Sequence, residues 1–302
     1  MVNIFMKILI PAMLLSFSTG AFAGESIKLL YRISIYADNK GGALKQPEGV
    51  ACNDTSLLVI ADTGRDRLLR FTFQDGALKG GDEIAVPQLA APLRVQVNAR
   101  GDIFVLDGKQ RRIVKLNAGG AFVGYLAPEG LPAPVSLIPR NFRVDADGTA
   151  YILDIFSMRV LIVDSSGRYR RHIELPEGYE TFSDLAVDAQ GTVYVLDSST
   201  ATIFFASKDA KEFSPFTKSL SEYLTFPSNL FIDDKGVFFV TDQNAGRLAI
   251  LGKDGSFQGH PLNAGWKEGL LRFPSQLCVN SSGEVFIADR DNSRVQIFSA
   301  IR

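Results

Sequence analysis

The chain has 302 residues, 46% of them hydrophobic and 22% charged, enough to bury a sizeable core. Its 32 basic and 33 acidic residues leave a formal net charge of −1. A balance this close to zero argues against a nucleic-acid partner and against a polybasic membrane surface.

In chain order, residues 1–23 stand apart. Lys7 is the only charge before Glu25, the apolar run Ile8–Phe17 follows it, and Ala21-Phe22-Ala23 satisfies the small-x-small cleavage rule. The run is too short to span a bilayer and Pro11 interrupts it. A signal peptide cleaved after Ala23 is therefore expected, giving a periplasmic or secreted protein with no stable membrane insertion. The mature chain, 24–302, reads as one domain. Its first element is a strand-like run, Ile27–Tyr36, with no repeat of its own.

From there the sequence is periodic. An Asp closes each of six apolar runs: Asp62, Asp107, Asp154, Asp197, Asp242 and Asp289, spaced by 45, 47, 43, 45 and 47 residues. Fifteen residues earlier stands a Pro, replaced only by Phe182 in the fourth copy. Six earlier stands a Gly, replaced only by Ser56 in the first. Five later stands an Arg, replaced only by Thr202 in the fourth. The repeats fall at about 44–84, 89–126, 136–175, 179–220, 224–262 and 270–302.

Each run before the Asp is apolar on both faces and rich in β-branched and aromatic residues, as in Val285–Ala288. Such a run is a strand covered on both sides, and the preceding Gly suits a tight hairpin. With a strand after the Pro, one after the Asp loop and a more polar outer one, each repeat holds four antiparallel strands. No stretch of the mature chain shows a helical apolar period. Six such units predict an all-β, six-bladed β-propeller.

The Pro-to-Asp frame resembles the NHL-repeat family, in FPSQLCVNSSGEVFIADRDNSRVQIF (273–298) and PEGVACNDTSLLVIADTGRDRLLRF (47–71). The resemblance covers residues 44–302 and implies the propeller fold. It leaves function open, because the family spans enzymes, scaffolds and sensors. The sixth repeat lacks an outer strand, so the strand 27–36 is expected to pair onto it and close the ring.

Two residue sets stand out. The pairs Asp62–Arg67, Asp107–Arg112, Asp154–Arg159, Asp242–Arg247 and Asp289–Arg294 repeat too often to be catalytic and read as loop clamps. The fourth repeat, Asp197 to Thr202, lacks the Arg and should hold its loop least firmly. The second set lies two residues after each Pro position: Gly49, Arg94, Asn141, Asp184, Asn229 and Gln276. It should ring one mouth of the central channel and differs from blade to blade. Arg94 and Arg140 are candidate anion contacts; Asn141, Asp184, Asn229 and Gln276 are candidate hydrogen-bonding groups. Trp266, the only Trp, sits in a loop of the same face.

Assembled chemistry is missing from the sequence. There are two His, His172 and His260, in different repeats. The zinc site of the related peptidyl-hydroxyglycine lyases, held by histidines, therefore has no counterpart. No HExxH, GxSxG, P-loop, GxGxxG or CxxCH occurs, so no catalytic residue, metal, cofactor or haem is assigned. Asp184, Asn141 and Asn229 imitate part of the carboxylate–Asn cluster of metal-dependent lactonase propellers, which is the alternative reading. RNA binding, known for cytoplasmic relatives, is disfavoured by charge and leader.

Cys52 and Cys278 lie in the inner strands of the first and last repeats, which closure makes neighbours. An exported protein permits a disulfide, yet face-packed sheets lie ~10 Å apart and bridged Cα atoms usually within ~6.8 Å. Bond and free thiols both stay open. The function expected from the sequence is a non-enzymatic exported module that binds a protein, peptide or small ligand on the face of the Asp–Arg loops.

Overall fold

The computed structural model describes residues 27–301; the expected signal peptide, 1–23, lies outside them. Six four-stranded antiparallel sheets stand around an axis. Their inner strands are Gly49–Cys52, Pro92–Val97, Pro139–Val144, Phe182–Val187, Pro227–Ile232 and Pro274–Val279. The strands that end in the repeated Asp are buried, as the two-faced apolar runs require: Leu58, Val59, Ile60 and Ala61 are all fully buried. The core is therefore a set of layers between blades. One layer joins Leu58 and Ile60 of blade one to Phe286, Val295 and Ile297 of blade six.

Ring closure follows the expected route. The N-terminal strand Lys28–Ile35 pairs antiparallel with Arg294–Ile301 as the outer strand of blade six, from Lys28↔Ile301 to Ile35↔Val295. The segment after it is fastened to blade one, where Arg67 donates to Asp38 Oδ2 at 2.6 Å. Hydrogen bonds from the Gly42 N–H, and then from Arg67, hold the Asp38 carboxyl down at about 2.

Cys52 and Cys278 form a disulfide with Cα atoms 6.0 Å apart. The 10 Å spacing of stacked sheets does not apply here, because blades splay like spokes and their inner strands converge on the axis. The bond closes a sequence separation of 226 residues. Cys278→Ser is expected to cost about 2–4 kcal/mol, read as a lower urea midpoint than wild type under non-reducing conditions. Equal midpoints would mean that strand pairing alone carries closure.

Candidate functional site

The Asp–Arg loops lie on the face where each inner strand begins. All six Asp side chains are fully buried. Each accepts a backbone N–H from the linker that enters its own blade: Lys45 to Asp62, Ala90 to Asp107, Ile138 to Asp154, Thr181 to Asp197, Thr225 to Asp242 and Arg272 to Asp289. In three blades the Arg completes the clamp. Arg67, Arg159 and Arg294 donate from Nε to their Asp at 2.8, 3.2 and 2.7 Å. Each also donates from Nη2 to a carbonyl of the incoming linker. Burial pushes the Asp289 carboxyl up despite the N–H groups of Arg272, Asn292 and Arg294 that face it.

Two of the five expected pairs do not form among the described residues. Arg112 keeps the linker carbonyl of Gln88 but turns its guanidinium onto the Tyr125 ring, 4.0 Å from the centroid. Arg247 is exposed. Blade four is not left bare: the hydroxyls of Ser199 and Thr200 each donate to Asp197 at 2.8 Å, in place of the missing guanidinium. Loop geometry needs donors to the Asp, and hydroxyls serve as well as Arg.

The six channel positions do not form an open polar rim. Asn141, Asp184 and Asn229 are fully buried, and Gln276 is 4% exposed. They bond to one another and to neighbouring backbone. Asp184 sits at the centre. Its Oδ1 accepts from Asn141 Nδ2 at 2.5 Å and from its neighbour Leu185 N at 2.8 Å. Its Oδ2 accepts from Asn229 Nδ2, from Leu230 N at 2.7 Å and from Arg143 at 3.1 Å. Asn229 Oδ1 then accepts from Leu277 N of blade six. Gln276 spans to blade two, bonding both N–H and C=O of Val95 at 3.1 and 2.8 Å. Gln96 carries the belt on to blade three through Phe142 and Val144.

The belt therefore runs through five blades and skips blade one. Gly49 allows this. A Cβ there would meet Ala61 Cβ at 2.9 Å, Leu93 O at 3.1 Å and Gln276 Oε1 at 3.2 Å. The disulfide joins blade one to blade six beneath that gap. Arg143 and Gln96 are the members that the sequence reading missed. Arg143 lies two residues after Asn141, on the same face of the strand, and that alternation was the signal. Gln96 likewise lies two residues after its channel position, Arg94.

Whether the belt suits a cation is decided by its donors. Both Asp184 oxygens are occupied, and the charge beside them is a guanidinium. A divalent ion would have to displace Arg143 and turn both Asn amides. The residues do not fit a metal, and no group of three or more His, Cys, Asp or Glu able to hold one occurs among the described residues.

Above the belt is the mouth. Glu48 bridges Arg94 at 3.5 Å and Arg290 at 3.0 Å. Arg140 makes no hydrogen bond or ion pair among the described residues, and its side chain is exposed. The channel walls still crowd it: burial first, and then the Arg94 charge, lower its guanidinium pKa. Glu48 and Arg290 also belong to this mouth and escaped the sequence reading, because they lie outside the two-after-Pro frame. Trp266 is 73% exposed, with the Lys267 ammonium 5.7 Å from its ring. It is not packed down.

Comparison with known proteins agrees with this architecture. Residues 271–298 match the NHL repeat. The protein brain tumor of Drosophila melanogaster is 31% identical over 134 residues, 42% of this chain, and the match spans 12% of that protein's length. Among solved structures, virginiamycin B lyase from Staphylococcus aureus is 13% identical with a TM-score of 0.62, covering 91% of this chain and 100% of that one. A gluconolactonase from Xanthomonas campestris is 16% identical with a TM-score of 0.65, covering 92% and 91%. A chain of a nidogen–laminin complex is 15% identical with a TM-score of 0.58, covering 78% and 92%. At these identities the solved structures share the fold, and nothing further follows from them.

Proposed function

From a six-bladed β-propeller that carries an NHL repeat, we propose an exported binding module that recognises a protein, peptide or small ligand on the face of the Asp–Arg loops. Export rests on the leader read in residues 1–23 and places the module in a periplasm or outside the cell. The observation that carries the binding reading is Arg140, an exposed residue whose side chain has no acidic partner among the described residues and feels the Arg94 charge at the channel mouth. Glu48 is already shared between Arg94 and Arg290, so an incoming carboxylate or similar anion relieves the repulsion at Arg140.

The alternative, a metal-dependent hydrolase of the lactonase type, would use Asp184, Asn141 and Asn229. Their mutual bonding across the channel weighs for the binding reading.

Calorimetric titration with an acetylated Glu-rich decapeptide at low salt tests this. Wild type is expected to bind it and to ignore a Lys-rich decapeptide. Arg140→Glu should weaken binding at least ~tenfold, the scale of one charge-assisted contact turned repulsive. Arg140 is exposed, so the variant should keep its β circular dichroism. Equal binding by wild type and variant would refute an anion site at the mouth.

A further inference from the structure

We infer that the partner is a protein segment that inserts one bulky apolar side chain, flanked by carboxylates, into a groove between blades two and three on this same face. The inference rests on the binding reading above and specifies its partner.

The linker at residues 127–138 leaves the outer strand Phe122–Leu126 of blade two and enters the inner strand Pro139–Val144 of blade three. It does not lie flat. A groove of about 300 Å³ opens under it, with Tyr125, Leu126, Leu131, Val135, Leu137 and Pro139 among its walls. Among the described residues, the only charged side chains lining it are Arg111 and Arg112. The rim on this face is apolar and open: Val135 is 71% exposed, and Phe156 and Ile155 of the adjacent blade-three loop are 53% and 38% exposed. The Arg159 bond to Pro134 O fixes the linker beside that loop.

Arg112 supplies an independent reason to expect acidic company. It is one of the two Arg that have left the repeated clamp. The Asp107 oxygens are taken by the N–H groups of Ala90, Lys109 and Gln110. The freed guanidinium lies over Tyr125 at the groove, and its Nε is buried without a hydrogen-bond partner. A guanidinium with no carboxylate partner and one N–H left unbonded carries charge that a carboxylate nearby would stabilise. Pro139 lines the groove, and the next residue is Arg140, which makes no ion pair among the described residues. The apolar pocket is thus lined by the cations Arg111 and Arg112, and Arg140 follows Pro139 of its wall toward the channel mouth, where Arg94 lies. A Leu or Phe with Asp or Glu on both sides matches this layout. Most of the walls are aliphatic, and the Arg112 guanidinium already lies over the Tyr125 ring, which favours such a side chain over a nucleobase seeking a free aromatic face.

The test uses two fluorescently labelled decapeptides, one with Leu between two Glu pairs and one with Ser in its place. It also uses an oligouridylate. Each is titrated by anisotropy against wild type, Val135→Asp and Arg140→Glu. Wild type should bind the Leu peptide about tenfold more tightly than the Ser peptide, the order expected for burying one Leu side chain. Val135→Asp, at an exposed position, should erase that preference. If both peptides bind wild type equally and Arg140→Glu weakens both, the groove inference falls and the binding reading stands. If neither peptide responds to Arg140→Glu, the binding reading falls too. Tight binding of the oligouridylate without peptide binding overturns the inference in favour of a nucleic-acid partner.

Discussion

Deletion of residues 24–37 is expected to yield a protein that aggregates or melts far below the full chain. The deletion removes the outer strand of blade six and bares the whole edge of Arg294–Ile301, now paired from Lys28↔Ile301 to Ile35↔Val295. A long unpaired edge is a template for association with other chains. It also takes Ile27 and Ile35 out of the interblade cores, where they are 7% and 2% exposed. Each such side chain contributes about 1.5–3 kcal/mol, and the Tyr36 hydroxyl contact of the Arg294 clamp goes with them. The total loss approaches the whole stability of an ordinary domain, about 5–15 kcal/mol. Size-exclusion chromatography and a thermal melt decide it. A monomer with an unchanged melt would show that the ring stays closed without the strand.

The second large effect belongs to Asp184. Asp184→Ala removes the acceptor of five hydrogen bonds and leaves Arg143, 15% exposed at its side chain, without its counter-ion. Breaking a buried pair from one side costs about 3–5 kcal/mol. The loss should appear in urea unfolding as a markedly lower midpoint. The paired change Asp184→Ala with Arg143→Leu should recover part of it, because the stranded charge goes too. A single-mutant loss under ~1 kcal/mol would mean that the belt is incidental to stability, and Asp184 would again be a candidate for chemistry.

The two predictions lie on opposite sides of what was legible. Closure could be read from the sequence, since an apolar strand without a repeat and a repeat without an outer strand imply each other. The clamp could be read too, but only to the level of the Asp. Its carboxylate is required by the loop backbone in every blade, so it recurs six times. The Arg is one of several donors that satisfy it. Arg112 can leave for Tyr125, and Ser199 and Thr200 can replace a missing guanidinium.

The channel set was located by its offset, but the structure places four of its members in a buried hydrogen-bonded belt and not on an open rim. Asn141, Asp184, Asn229 and Gln276 differ from blade to blade, as contacts for an outside ligand would. They differ because each bonds to a different neighbour across the axis.

By itself, then, the sequence determined the blade, the number of blades and the way the ring closes. Those are local facts, set by the alternation of turns and two-faced apolar strands along the chain. Only the tertiary structure decided which polar groups meet. Asn141, Asp184 and Asn229 lie 43 and 45 residues apart, and Cys52 and Cys278 are separated by 226. They touch because six inner strands converge on one axis. Spoke geometry brings the sheets closest there, and no spacing along the chain records that distance.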